Sequence, residues 1–142
     1  LNFDGKLKTL YHKDLKYGYR YSGIDKKSLI TSITFKNNQN QFNEHLLDEL
    51  NFRRKSSQPI NQLSCGCIFK NPRNNFASKL IDDSNLKGTR VGGIYISKKH
   101  SNYFINDGTG TFHDFIALLK IVKKNVQVNF NIKLEEEVIL IK

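Results

Sequence analysis

An α+β fold is what this 142-residue sequence predicts, and three observations lead to it. Strand-like and helix-like segments are mixed along the chain, three of them helical. The longest helical stripe, Phe115, Leu119, Val122, Val126 and Phe130, follows a capping residue, Thr111. Turn residues divide much of the remainder into short extended pieces. With 38% hydrophobic residues the chain can bury a core, and its length suits one domain, or one domain plus a piece of another.

Within Leu1–Asn37, "LNFDGKLKTLY" sets an Asp-Gly turn between two extended pieces, a hairpin pattern. "YGYRYS" (Tyr17–Ser22) places Arg20 among three tyrosines and, taken alone, reads as an exposed edge strand with aromatic cross-strand pairs. "SLITSITFKN" (Ser28–Asn37) alternates Ile30, Thr31, Ile33 and Phe35 with polar residues and predicts a strand. The polar connection Asn37–Gln41 is a candidate domain boundary.

Beyond it, Phe42, Leu46, Leu47 and Leu50 recur at helical spacing. The basic run Arg53–Lys55 suits a helix C-terminus as well as it suits a nucleic-acid contact, and Pro59 closes the segment. Asn74–Gly88 predicts a short helix with Phe76, Leu80 and Ile81 inward and Gly88 in the following turn. Thr89–Ser97 and Asn102–Asn106 predict strands, and Gly92-Gly93 marks a bulge or a ligand close to the backbone. Thr111–Phe130 is the clearest helix, with Asp114 completing a weaker form of the capping box. "KLEEEVILIK" predicts a terminal strand with Glu135 and Glu137 on one face and Glu136 on the other.

A formal net charge of +10 calls for anionic partners: nucleic acid, a membrane surface or a phosphorylated small molecule. No apolar run reaches the roughly 18 residues that span a bilayer, and no signal peptide opens the chain. There is no methionine and the first residue is Leu1, so the chain is expected to be the C-terminal part of something longer. Cys65 and Cys67 lie one residue apart in "SCGCIFKNP" (Ser64–Pro72), where a mutual disulfide would be strained. Zinc is not expected, because His12, His45, His100 and His113 show no paired spacing with them. A reducing cytoplasm fits this cysteine usage.

In order, the chain carries "YGYRYS", "RRKSSQP", "SCGCIFKNP", "FASKLID", "LKGTRVGGIYISKKHSNYFIN", a long helix and "LEEEVILI". That series resembles the C-terminal half of the UDP-N-acetylenolpyruvoylglucosamine reductase (MurB) family, flavoenzymes of bacterial cell-wall synthesis. The resemblance implies that residues 1–37 are the end of a flavin-binding domain. Residues 41–142 would be the C-terminal substrate-binding domain. It implies FAD and NADPH as cofactors, with the FAD diphosphate segments upstream of Leu1, so this chain alone is expected to lack flavin and activity. The expected partner is UDP-N-acetylglucosamine enolpyruvate, with no nucleic acid, no membrane and a monomeric state.

In the implied reaction, hydride addition to an enol ether pushes charge into the adjacent carboxylate, and a carbon is then protonated. By resemblance Arg20 stabilises the enolate, Glu137 polarises the carboxylate when protonated, and Cys67 stands where the proton-donating serine is usual. Tyr19, Asn71 and Lys87 match substrate-binding positions, and Arg54 matches a basic residue near the flavin. Ser57 stands where some members of the family have a substrate-binding lysine, Ser78 replaces a frequent glycine, and Ile139 replaces the arginine common two residues after the glutamate. Two other readings stay open at this point: a basic nucleic-acid-binding domain without enzymatic activity, and a structural or interaction remnant.

Overall fold

In a computed structural model, residues 5–36 and 43–141 are described. The chain divides into two compact units, Leu1–Phe42 and Asn43–Lys142.

The second unit holds helices α1 (Glu44–Ser57), α2 (Ala77–Asp83) and α3 (Phe112–Phe130), and strands β1 (Arg90–Val91), β2 (Ile94–Ile96) and β3 (Phe104–Asn106). It is α+β, as expected. The sheet is antiparallel in the order β1-β2-β3, with Val91 opposite Ile94 and Ile96 opposite Phe104. Two isolated bridges lie beside it: Cys67 pairs with Tyr103, and Phe69 pairs with Glu136.

Helix α3 starts where its sequence says it should. The Thr111 hydroxyl accepts from the Asp114 N–H at 3.2 Å, and the Asp114 carboxylate accepts from the Thr111 N–H at 2.9 Å. Two otherwise orphaned donors are thereby satisfied. Asn131 ends the helix in the left-handed region at φ 55°. Leu118, Leu119, Val122 and Val126 are buried, and the helix packs on β1, β2 and α2. The core they join includes Ile68, Phe69, Ile81, Ile96 and Phe104.

Several expectations need correction. Thr89–Ser97 is two strands joined at Gly92-Gly93, a hairpin turn and not a bulge. Gly93 is required by a close approach of chain, because a Cβ there would lie 2.2 Å from the Gly110 nitrogen. The terminal segment forms one bridge at Glu136 and no strand. Phe76 is the N-cap residue of α2 and is 65% exposed, so only Leu80 and Ile81 of the expected trio face inward. Helix α1 forms, capped by the Asn43 side chain accepting from Leu46 N–H at 3.0 Å, yet it buries no residue. Leu46, Leu47 and Leu50 of its stripe are 49%, 44% and 52% exposed.

In the first unit, the described residues of the expected strand, 28–36, form no strand. Alternation shows which residues would share a face; it does not by itself extend pairing beyond the single bridge residue Ser28. The first residues of the expected hairpin, 1–4, and the expected boundary, 37–41, lie outside the described residues, while Lys6–Tyr11 is not strand either. "YGYRYS" is a turn and not an edge strand: Gly18 N–H donates to Tyr21 C=O at 2.8 Å and Tyr21 N–H to Gly18 C=O at 3.1 Å. A short 3-10 helix at His12–Asp14 had no strong signal in the sequence.

Candidate active site

The segment around Cys67 is fixed on both sides. Ile68 N–H donates to Asn102 C=O at 2.9 Å, and Phe69 N–H donates to the Asn102 side chain at 3.0 Å. The buried Asn102 amide returns a bond to Phe69 C=O at 2.8 Å, so its polar atoms are not stranded in the core. Across the other edge, Glu137 N–H donates to Ile68 C=O at 2.8 Å and Lys70 N–H to Glu135 C=O at 2.9 Å. Cys67 and Glu137 therefore come from segments hydrogen-bonded side by side, although 70 positions separate them in sequence. Gly66, at φ +85°, turns the chain between the two cysteines in a conformation that favours glycine.

Both thiols are outside any disulfide, and both are accessible, Cys65 exposed and Cys67 half-buried. Partial desolvation pushes the Cys65 thiol up from its ordinary value, which makes it the less reactive form at neutral pH. Tyr103, opposite Cys67, is a residue the sequence reading passed over. Burial raises its phenol first, and hydrogen bonding and charge at Cys67 raise it further. Arg54 opposes that shift and Glu137 adds to it, so Cys67, Glu137 and Arg54 all act electrostatically on Tyr103. The one available signal was "NYFIN" itself, a strand that had to pair with something.

The neighbouring acidic residues are engaged elsewhere. Glu136 bonds Lys123 at 2.6 Å; burial pushes its carboxyl up, but the Lys123 bond and charge, a backbone hydrogen bond and the Lys70 charge together carry the net direction down. Lys70 reaches Glu135 at 3.4 Å on the exposed side.

Asn71 and Lys87 have structural contacts in place. The Asn71 side chain accepts from Ala77 N–H at 3.0 Å at the start of α2, and Lys87 pairs with Asp82 at 2.6 Å. Gly88, next to Lys87, lines a cleft of about 470 Å³ whose walls include Arg90, Lys98 and Lys99. A larger open cleft of about 560 Å³ lies between Gln62–Cys65 and the start of α3. Neither cleft is lined by Cys67, Tyr103 or Glu137.

Arg20 and Tyr19 belong to the first unit. Arg20 sits in the left-handed region at φ 56°, a costly conformation for an arginine. Its guanidinium carbon lies 5.6 Å from the centre of the exposed Tyr19 ring. Among the described residues, no group of three or more His, Cys, Asp and Glu is placed to hold a metal ion. No helix among them is long and apolar enough to cross a membrane.

Comparison with known proteins adds a family. A model of the UDP-N-acetylenolpyruvoylglucosamine reductase C-terminal domain matches residues 58–141. UDP-N-acetylenolpyruvoylglucosamine reductase 2 of Bacillus anthracis is 40% identical over 141 residues, covering 97% of this chain and 46% of the relative. The UDP-N-acetylenolpyruvoylglucosamine reductase of Fusobacterium nucleatum is 41% identical over 138 residues, covering 96% of this chain and 49% of the relative. The crystal structure of UDP-N-acetylenolpyruvylglucosamine reductase (MurB) from Thermus caldophilus superposes with a TM-score of 0.70 at 34% identity, covering 88% of this chain and 46% of that one. The chain spans about half the length of the curated relatives it matches.

Proposed function

The chain belongs to the UDP-N-acetylenolpyruvoylglucosamine reductase family, and from that membership we propose that it forms the substrate-binding half of such a reductase. Residues 41–142 are then the substrate domain and residues 1–37 the end of a flavin-binding domain. The substrate is UDP-N-acetylglucosamine enolpyruvate, reduced in the cytoplasm for peptidoglycan synthesis and hence for cell shape and division. FAD, reduced by NADPH, would supply the hydride when bound. Arg54, exposed near the end of α1, is suited to hold an anionic or carbonyl oxygen of that group.

The remaining work falls to this chain's side chains. Arg20 meets the negative charge that develops on the substrate carboxylate, and Glu137, when protonated, donates to that carboxylate. Cys67 gives its proton to the neighbouring carbon. A thiol has a reference pKa of about 8.5, so it is mostly protonated at neutral pH and leaves an anion easier to stabilise than an alkoxide. Lys87 has three donors and can keep Asp82 while meeting a phosphate oxygen. The nearby Arg90, Lys98 and Lys99 make that side electropositive. The nucleic-acid reading finds no support in this family.

The observation that supports this reading is that the segment from Cys67 to Lys70 is hydrogen-bonded beside the segment from Glu135 to Glu137, with Tyr103 opposite Cys67. With the upstream flavin half supplied, Cys67→Ser should keep substantial turnover. Cys67→Ala should still let substrate reoxidise the flavin but should slow deuteron incorporation from heavy water. Rapid-reaction flavin absorbance with product analysis checks both. Normal turnover in Cys67→Ala would remove Cys67 from the mechanism.

A further inference from the structure

We propose that Tyr103 is a positioning residue for Cys67: its hydroxyl holds the sulfur in place and donates to the thiolate once the proton has left. The proposal rests on the reading of Cys67 as the acid. Tyr103 lies directly opposite Cys67 in an antiparallel bridge, so the two side chains leave the same face, and charge and hydrogen bonding at Cys67 help hold the phenol up.

Tyr103 has little freedom to be elsewhere. Its N–H donates to His100 C=O at 3.0 Å, and its C=O accepts from Ser97 N–H at 2.9 Å. Its ring meets the His100 ring edge to face, with centroids 4.7 Å apart and planes at 68°. His100 is in turn oriented, its Nδ1 accepting from Asn102 N–H at 3.3 Å. The hydroxyl is thus a donor held ready before any charge forms, which is the arrangement that stabilises a developing anion without reorganisation.

The charged surroundings divide. Arg54 favours an anion at this spot and Glu137 opposes one. On the far side, desolvation pushes the His100 imidazole down first and Lys87 adds to it, favouring the uncharged ring. Cys65 lies beyond Gly66 on the same segment. When the proton passes, the enolate's electron pair forms the new C–H bond and the sulfur keeps the S–H pair. A hydrogen bond from Tyr103 then stabilises that thiolate. Burial and its contact with Cys67 keep the phenol protonated, and hence a donor, at neutral pH.

The test is alkylation of Cys67 by iodoacetamide as a function of pH, in the full chain carrying Cys65→Ser. Tyr103→Phe keeps the ring on His100 but removes the donor. It should move the midpoint up by about one unit and slow alkylation at neutral pH about tenfold. By reciprocity, Cys67→Ser should lower the pH at which the Tyr103 phenol ionises, followed by its ring carbon resonance. A midpoint unmoved by Tyr103→Phe, or a phenol titration unmoved by Cys67→Ser, would overturn the proposal. Alkylation needs neither flavin nor nucleotide, so the thiol–phenol coupling can hold even where the Cys67→Ala turnover assay defeats the reductase reading.

Discussion

Asp107 shows how much one carboxylate can organise at the residue scale. It accepts from Arg90, whose guanidinium also stacks 4.6 Å from the Tyr95 ring centre, and from the Thr109 hydroxyl at 2.7 Å and N–H at 3.0 Å. These bonds, the Arg90 one first, hold its carboxyl at about 2 against an ordinary value of 3.8. A carboxylate whose pKa is lowered by folding stabilises the fold above its unfolded value, and that contribution is lost as pH falls through the folded value. Wild type should therefore be more stable than Asp107→Asn above about pH 4, with the gap closing between about pH 4 and pH 2. Thermal melts across that range check the sign; a gap that widened on acidification would contradict it. The same scale explains why Tyr103 was not legible beforehand. "SCGCIFKNP" identified the thiol, but its opposite residue is set by a non-local register that no local pattern encodes.

At the scale of elements, α3 could be read almost in full, and the reason is that its information is local. Thr111 and Asp114 lie three apart, and the stripe from Phe115 to Phe130 repeats at helical period. Thr111→Ala should remove one side of the capping box and cost about 1 kcal/mol of stability, measured by urea unfolding. A loss near zero would mean that the cap is redundant with packing against β1 and β2. The stretch from Ile30 to Phe35 shows the opposite case. Its alternation is real, but Ile33 and Phe35 are 65% and 83% exposed, and strand pairing needs partners that a sequence pattern cannot provide. The terminal acidic segment lies between these extremes: it reaches Phe69 and Ile68, but only through short contacts.

At the scale of the whole molecule, the proposed role is the substrate-binding half of such a reductase. The formal charge of +10 says only that a partner is anionic. The cleft beside Lys87, walled by Arg90, Lys98 and Lys99, suits the diphosphate of the proposed UDP-sugar substrate. Arg20, Cys67 and Glu137 were legible as candidates because they sit in motifs of distinctive order. The placement of Cys67 beside Tyr103 was not, since it depends on a pairing between segments far apart in sequence. The most direct measurement is a calorimetric titration of the full chain with UDP, repeated with competing DNA and with Lys87→Ala. Saturable one-to-one heat in the millimolar range or tighter is expected, weakened by Lys87→Ala and insensitive to DNA. No heat at millimolar UDP, or heat abolished by DNA alone, would contradict it.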